Sequence, residues 1–73
     1  MYIFFNKITG TIIVAESVEK FLEIWNEQYF KKFRYIIEMN QEPYLWVYSG
    51  ERHQSLLFEY KPIKENSMLD FRF

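Results

Sequence analysis

The sequence predicts a small α+β fold, ββα followed by three or four strands, with one helix packed on a mostly antiparallel sheet. Three observations lead there. Only one stretch carries apolar residues at helical spacing, several others are short and rich in β-branched and aromatic residues, and the turns between them are brief. Brief turns join antiparallel neighbours, because a parallel pair needs a crossover of a dozen residues or more. A lone helix then buries its apolar stripe by lying on one face of the sheet.

Residues 1–5 and 11–15 read as a hairpin, separated by Asn6-Lys-Ile-Thr-Gly10. Gly10 is the residue able to take the left-handed position that closes such a turn, as in a type I turn with a G1 bulge. Ser17 is the expected N-cap, and Glu19 puts a negative charge in the first turn, where the helix dipole favours it. Val18, Phe21, Leu22, Trp25 and Tyr29 then follow at helical spacing, with Phe33 on the same stripe if the helix lasts that far. Glu19, Glu23, Asn26 and Glu27 occupy the opposite side, and Glu27 precedes Lys31 by the four residues that suit an ion pair. Lys32 falls on the apolar side, so the helix is expected to end near Lys31.

Beyond it the period changes to two. Residues 34–39 suit a strand, 40–43 a turn, 44–48 a strand, 49–54 a second turn and 55–61 a further strand that Pro62 halts. Residues 64–67 read as a solvated loop, and Met68-Leu-Asp-Phe-Arg-Phe73 alternates as a final strand. With no repeat, linker or low-complexity stretch, residues 1–73 read as a single small α+β domain.

Composition narrows the function. The chain is 22% aromatic, has nine basic and ten acidic residues, and lacks cysteine. Aromatic wealth at low net charge excludes disorder, and the absence of cysteine excludes a disulfide scaffold or a Cys-ligated zinc module. No apolar run approaches the roughly 20 residues of a membrane span, and no signal-peptide pattern is present, so the expected location is cytoplasmic. Near-neutral charge disfavours binding by phosphate neutralisation.

Residues 1–16 resemble the first hairpin of the ubiquitin family, through Met1, Ile3, Phe4, Thr9-Gly10, Ile13 and Glu16 in register. That resemblance implies a β-grasp fold as the alternative architecture and a ubiquitin-like adaptor as an alternative role. Phe71-Arg-Phe73 differs from a di-glycine tail, so the resemblance does not extend to conjugation.

Catalytic chemistry finds little support. His53 is the only histidine, and Glu51, Arg52 and Ser55 near it read as a polar turn between strands. Gly10 and Gly50 stand singly, unlike a phosphate-binding loop, and no carboxylate or histidine set has metal-ligand spacing. The chain is therefore expected to be non-enzymatic and to need no cofactor or metal. Lys31, Lys32 and Arg34, with strand aromatics as stacking faces, form the alternative reading of a single-stranded nucleic-acid binder.

The stronger signal is a surplus of apolar side chains. A half-exposed strand alternates apolar with polar, yet both parities are apolar in residues 2–5, 12–15 and 44–48. Simple parity puts Ile3, Phe5, Ile13 and Ala15 on one side with Leu45 and Val47, and Tyr2, Phe4, Ile12 and Val14 on the other with Tyr44, Trp46 and Tyr48. One helix covers one face. Either the sheet curls on itself, or Tyr2, Phe4, Ile12, Val14, Tyr44, Trp46 and Tyr48 form a protein-binding face, for a twin subunit in a homodimer or for another protein, with a sheet edge as the other route of contact. Ala15 is the only alanine while Ile, Lys, Asn, Phe and Tyr abound, a composition of AT-rich coding. Size and style suit a phage or mobile-element accessory protein acting in the host cytoplasm, an inhibitor that blocks a host protein such as a defence nuclease.

Overall fold

The computed structural model describes residues 1–28 and 33–63. It holds strands β1 (Tyr2–Phe5) and β2 (Ile12–Ala15), helix α1 (Val18–Gln28), then strands β3 (Tyr35–Gln41), β4 (Tyr44–Ser49) and β5 (Gln54–Pro62). The five strands form one sheet in the order β2-β1-β5-β4-β3, and every described pairing is antiparallel. The expected α+β fold is present. The β-grasp alternative, in which the first strand has a parallel partner, is not seen among the described residues, because β1 pairs antiparallel with both of its neighbours, β2 and β5. The expected helix end near Lys31, together with Tyr29 and Lys32, lies outside the described residues, as do the loop 64–67 and the strand 68–73.

Local chemistry explains the turns. Asn6 is buried, and its Oδ1 accepts from the backbone N–H groups of Ile8 (2.8 Å) and Thr9 (3.1 Å). Gly10 has φ 75° and donates its N–H to the Asn6 carbonyl at 2.8 Å, so the left-handed residue sits where the sequence requires it. Ser17 caps α1 as expected, its Oγ accepting from the Lys20 N–H at 3.1 Å. Glu42-Pro43 is a cis peptide. Asn40 and Gln41 pair with Leu45 and Tyr44, so β3 is longer than expected. Pro62 ends β5 from within, as its last paired residue, opposite Tyr2.

The order of the strands sets the course of the helix. β2 and β3 are opposite edges of the sheet, so the chain must cross its whole width between them. Four inter-strand gaps come to about 19 Å and an 11-residue helix to about 16 Å, so α1 covers most of that crossing. It buries Phe21 and Trp25. Phe21 stacks on Phe4 of β1 (centroids 4.3 Å apart) and meets Phe58 of β5 edge-on at 4.7 Å. Trp25 meets Phe58 at 5.0 Å and Tyr35 of β3 at 5.9 Å, both edge-on. Ile13, Ala15, Leu45 and Val47 complete the core beneath.

Register corrects the parity reading of the first hairpin. Tyr2 pairs with Ala15 and Phe4 with Ile13, while Ile3 pairs with Val14 and Phe5 with Ile12. Directly paired residues share a face, so Tyr2 and Phe4 lie on the helix side and Ile3 and Phe5 on the far side. Phe4 is fully buried, and Tyr2 packs against Phe4 and Tyr60. Neither shares the face of Tyr44, Trp46 and Tyr48. The core loses its anchor without Phe4: Phe4→Ala should cost about 3–5 kcal/mol in urea unfolding, against less than about 1 kcal/mol for Ile12→Ala.

Candidate protein-binding surface

The face opposite α1 carries the other half of the apolar content. Tyr44, Trp46 and Tyr48 alternate along β4 on this far side, as the sequence implied, while Leu45 and Val47 point into the core. Ile36 of β3 sits opposite Tyr48, and Met39 opposite Trp46. Ile36 (56% exposed), Met39 (43%) and Tyr44 (47%) are open to solvent, and Trp46 and Tyr48 are half-buried. Sequence reasoning missed Ile36 and Met39. The bulge between Ile37 and Met39 shifts the alternation of β3, so no single parity marks both.

The face is not uniform. Ile12 and Val14 are exposed, but they lie on β2, three strand spacings (about 14 Å) from β4. Between them Ile3 is buried, and Phe5, Leu57, Glu59 and Lys61 are half-buried. Lys7 reaches Glu59 with Nζ to Oε1 at 3.1 Å. The seven residues expected to form one patch therefore separate into the β4 aromatic row, the β2 pair, and Tyr2 and Phe4 on the helix side.

The row sits in a well-braced corner. On the helix side, the Tyr35 hydroxyl of β3 donates to Gln54 Oε1 of β5 at 3.0 Å, and the Tyr60 hydroxyl of β5 donates to Asn40 Oδ1 of β3 at 2.5 Å. On the far side, Ser55 Oγ donates to Glu38 Oε1 at 3.1 Å. Each of these bonds joins β3 to β5 across β4. Two open hollows lie on the row, one of about 450 Å³ beside Ile36, Tyr48 and Glu51, the other of about 460 Å³ between Met39, Trp46 and Ser55.

The hairpin itself is acidic, with exposed Arg34, which lines the first hollow, immediately before it. No lysine, arginine or histidine occurs in residues 35–49, which contain Glu38 and Glu42. At the adjoining turn, the Glu51 carboxyl is held below its ordinary value, first by its own backbone N–H and next by the Ser49 hydroxyl, which donates to it at 3.0 Å. Arg34 adds a smaller lowering contribution.

The polar residues around His53 are each engaged elsewhere or apart. His53 occupies an exposed turn with φ 50°, Ser55 is bonded to Glu38, and the Arg52 guanidinium lies over the Phe33 ring at 4.9 Å. Among the described residues no group of three or more His, Asp or Glu side chains is placed to hold a metal ion, and no helix is long and apolar enough to cross a membrane. Of the basic cluster, Arg34 is exposed, and Lys31 and Lys32 lie outside the described residues. Comparison with protein-family models, curated proteins and solved structures finds no match to this chain.

Tyr60 gives a pH test of the bracing. Burial raises its hydroxyl above the ordinary tyrosine value, with Glu42 and Tyr2 adding to the rise and the bond to Asn40 opposing it. Below about pH 10 the phenol is neutral in folded and unfolded chains alike, and its contribution to stability is complete. Above that pH the unfolded chain ionises first, so stability should fall as pH rises towards the folded value. Tyr60→Phe should flatten that alkaline decline in denaturant titrations, at a cost near neutral pH of about 1 kcal/mol for the lost hydrogen bond.

Proposed function

We propose that this chain is a small non-enzymatic protein-binding module that acts by occupying a surface of another protein, as an inhibitor or adaptor. The observation that carries the reading is the row Tyr44, Trp46 and Tyr48, flanked by exposed Ile36 and Met39, on the sheet face opposite the only described helix. Tyr and Trp anchor interfaces because they bury a large area and keep a polar group at the tip. The three lie two residues apart on one strand, about 6.8 Å from one to the next, on a backbone that cross-strand bonds hold in place. Such a platform loses little freedom when a partner covers it. The role of an inhibitor that blocks a host enzyme is the form of this reading that size and composition suit.

Binding through the row has a direct test. The partner captured from the natural host is purified and titrated by calorimetry against the wild type, Trp46→Glu, Tyr48→Glu and Ile12→Glu. Hot-spot losses of about 2 kcal/mol or more, roughly thirtyfold in Kd, are expected for the two β4 variants and little change for Ile12→Glu. Unchanged affinity in both β4 variants, with their folds intact by circular dichroism, would remove the reading.

A further inference from the structure

We propose that the outer edge of β3 is a strand-addition site for an extended, cationic segment of a partner polypeptide; this rests on the protein-binding reading and names how the partner is held. Among the described residues β3 is an edge strand, and its residues from Ile36 to Gln41 are all exposed. Its edge polarity follows from Asn26. The Asn26 side-chain amide donates to the Tyr35 carbonyl at 3.1 Å, and its Oδ1 accepts from the Tyr35 N–H at 2.8 Å. Both peptide groups of Tyr35 therefore face away from β4, and the carboxamide stands where the backbone of a sixth strand would be.

Alternation carries the direction onward. In an antiparallel ladder, every second residue turns both its N–H and C=O to the same neighbour. Ile37, two residues after Tyr35 and before the bulge, faces outward as Tyr35 does. Past the bulge, Met39 and Gln41 pair with Trp46 and Tyr44, and Asn40 between them faces outward. Asn26 closes the first rung, so an added strand engages the span from Ile37 to Gln41. Five residues make about 17 Å of edge, enough for a segment of similar length. Its side chains on the far face would lie beside Ile36 and Met39, extending the aromatic row by one strand.

Charge decides the occupant. The hairpin that carries the edge has Glu38 and Glu42 and no basic residue, so lysine or arginine on the incoming segment is favoured. A second copy of β3 would bring two Glu38 side chains together at the seam. Nucleic acid, being anionic, is disfavoured in the same way. Strand addition supplies main-chain hydrogen bonds for affinity, while side chains beside Met39 and Glu38 set specificity.

The test uses the whole chain and a library of peptides about eight residues long, with Lys or Arg alternating with Val, Ile, Leu, Phe or Tyr. A second library replaces the basic residues with Glu, and a third N-methylates alternate amides of the basic peptides. Binding is read from the emission of Trp46, since Trp25 is sealed in the core, and from amide exchange. Basic peptides should bind and protect the Ile37 and Asn40 amides. Acidic and N-methylated peptides should bind at least about tenfold more weakly, and Glu38→Lys should weaken the basic set by about the same factor. Ile37→Pro, which removes an outward donor and spares the bonds to β4, should also abolish binding. Failure of the basic peptides to bind, indifference to charge, or indifference to N-methylation would overturn strand addition, as would self-association that protects β3 in the absence of peptide. Any of these results combined with partner loss in Trp46→Glu would leave the protein-binding reading standing.

Discussion

The stack of Phe21 between Phe4 and Phe58 is the contact on which the rest of the structure depends. It ties the helix to β1 and β5, the middle of the sheet, while Trp25 extends the same contact to Tyr35 at the far edge. Each ring is buried, and Phe21 meets Phe4 stacked and Phe58 edge-on. A chain this short has room for one such layer. Because α1 must travel from the β2 edge to the β3 edge, it crosses the central strands, and its aromatic stripe lands where the sheet presents Phe4 and Phe58.

That economy has a consequence for the other face. The one described helix covers one side, so the apolar residues of opposite parity on β2, β3 and β4 go to the far side. Burial there is uneven. Ile3 is buried in the middle of the sheet, and exposure rises towards β2 on one side and towards β3 and β4 on the other. The second region combines aromatic area, acidic charge and an open edge. The first offers two aliphatic side chains on a four-residue strand.

β3 joins two properties that usually exclude one another. Edge strands are commonly blunted by charge, bulges or short length. β3 has a bulge and Glu38, and Asn26 occupies its first rung, yet it runs seven residues with Ile36, Ile37 and Met39 exposed. Hydrogen bonds from Tyr35, Tyr60 and Ser55 brace it to β5 at three places. The features that deter pairing with another copy of the same strand leave main-chain groups available to a segment of opposite charge.

Much of this was legible in the residues. Asn6 and Gly10 announced the first turn, Ser17 the helix start, and Phe21 and Trp25 the buried stripe, because turn conformation, capping and helical period are local properties. The alternation of Tyr44, Trp46 and Tyr48 against Leu45 and Val47 was legible for the same reason. The faces of Tyr2 and Phe4 were not. They depend on the pairing of Phe4 with Ile13, and parity within one strand says nothing about register between two. The bulge that puts Met39 beside Trp46, and the Asn26 amide that fills the first rung of the edge, are likewise contacts between separate segments. The sequence by itself determined the elements and the excess of apolar side chains. Only the tertiary structure decided which of them became core and which became surface, because a shift of one residue in strand register moves every side chain to the opposite face.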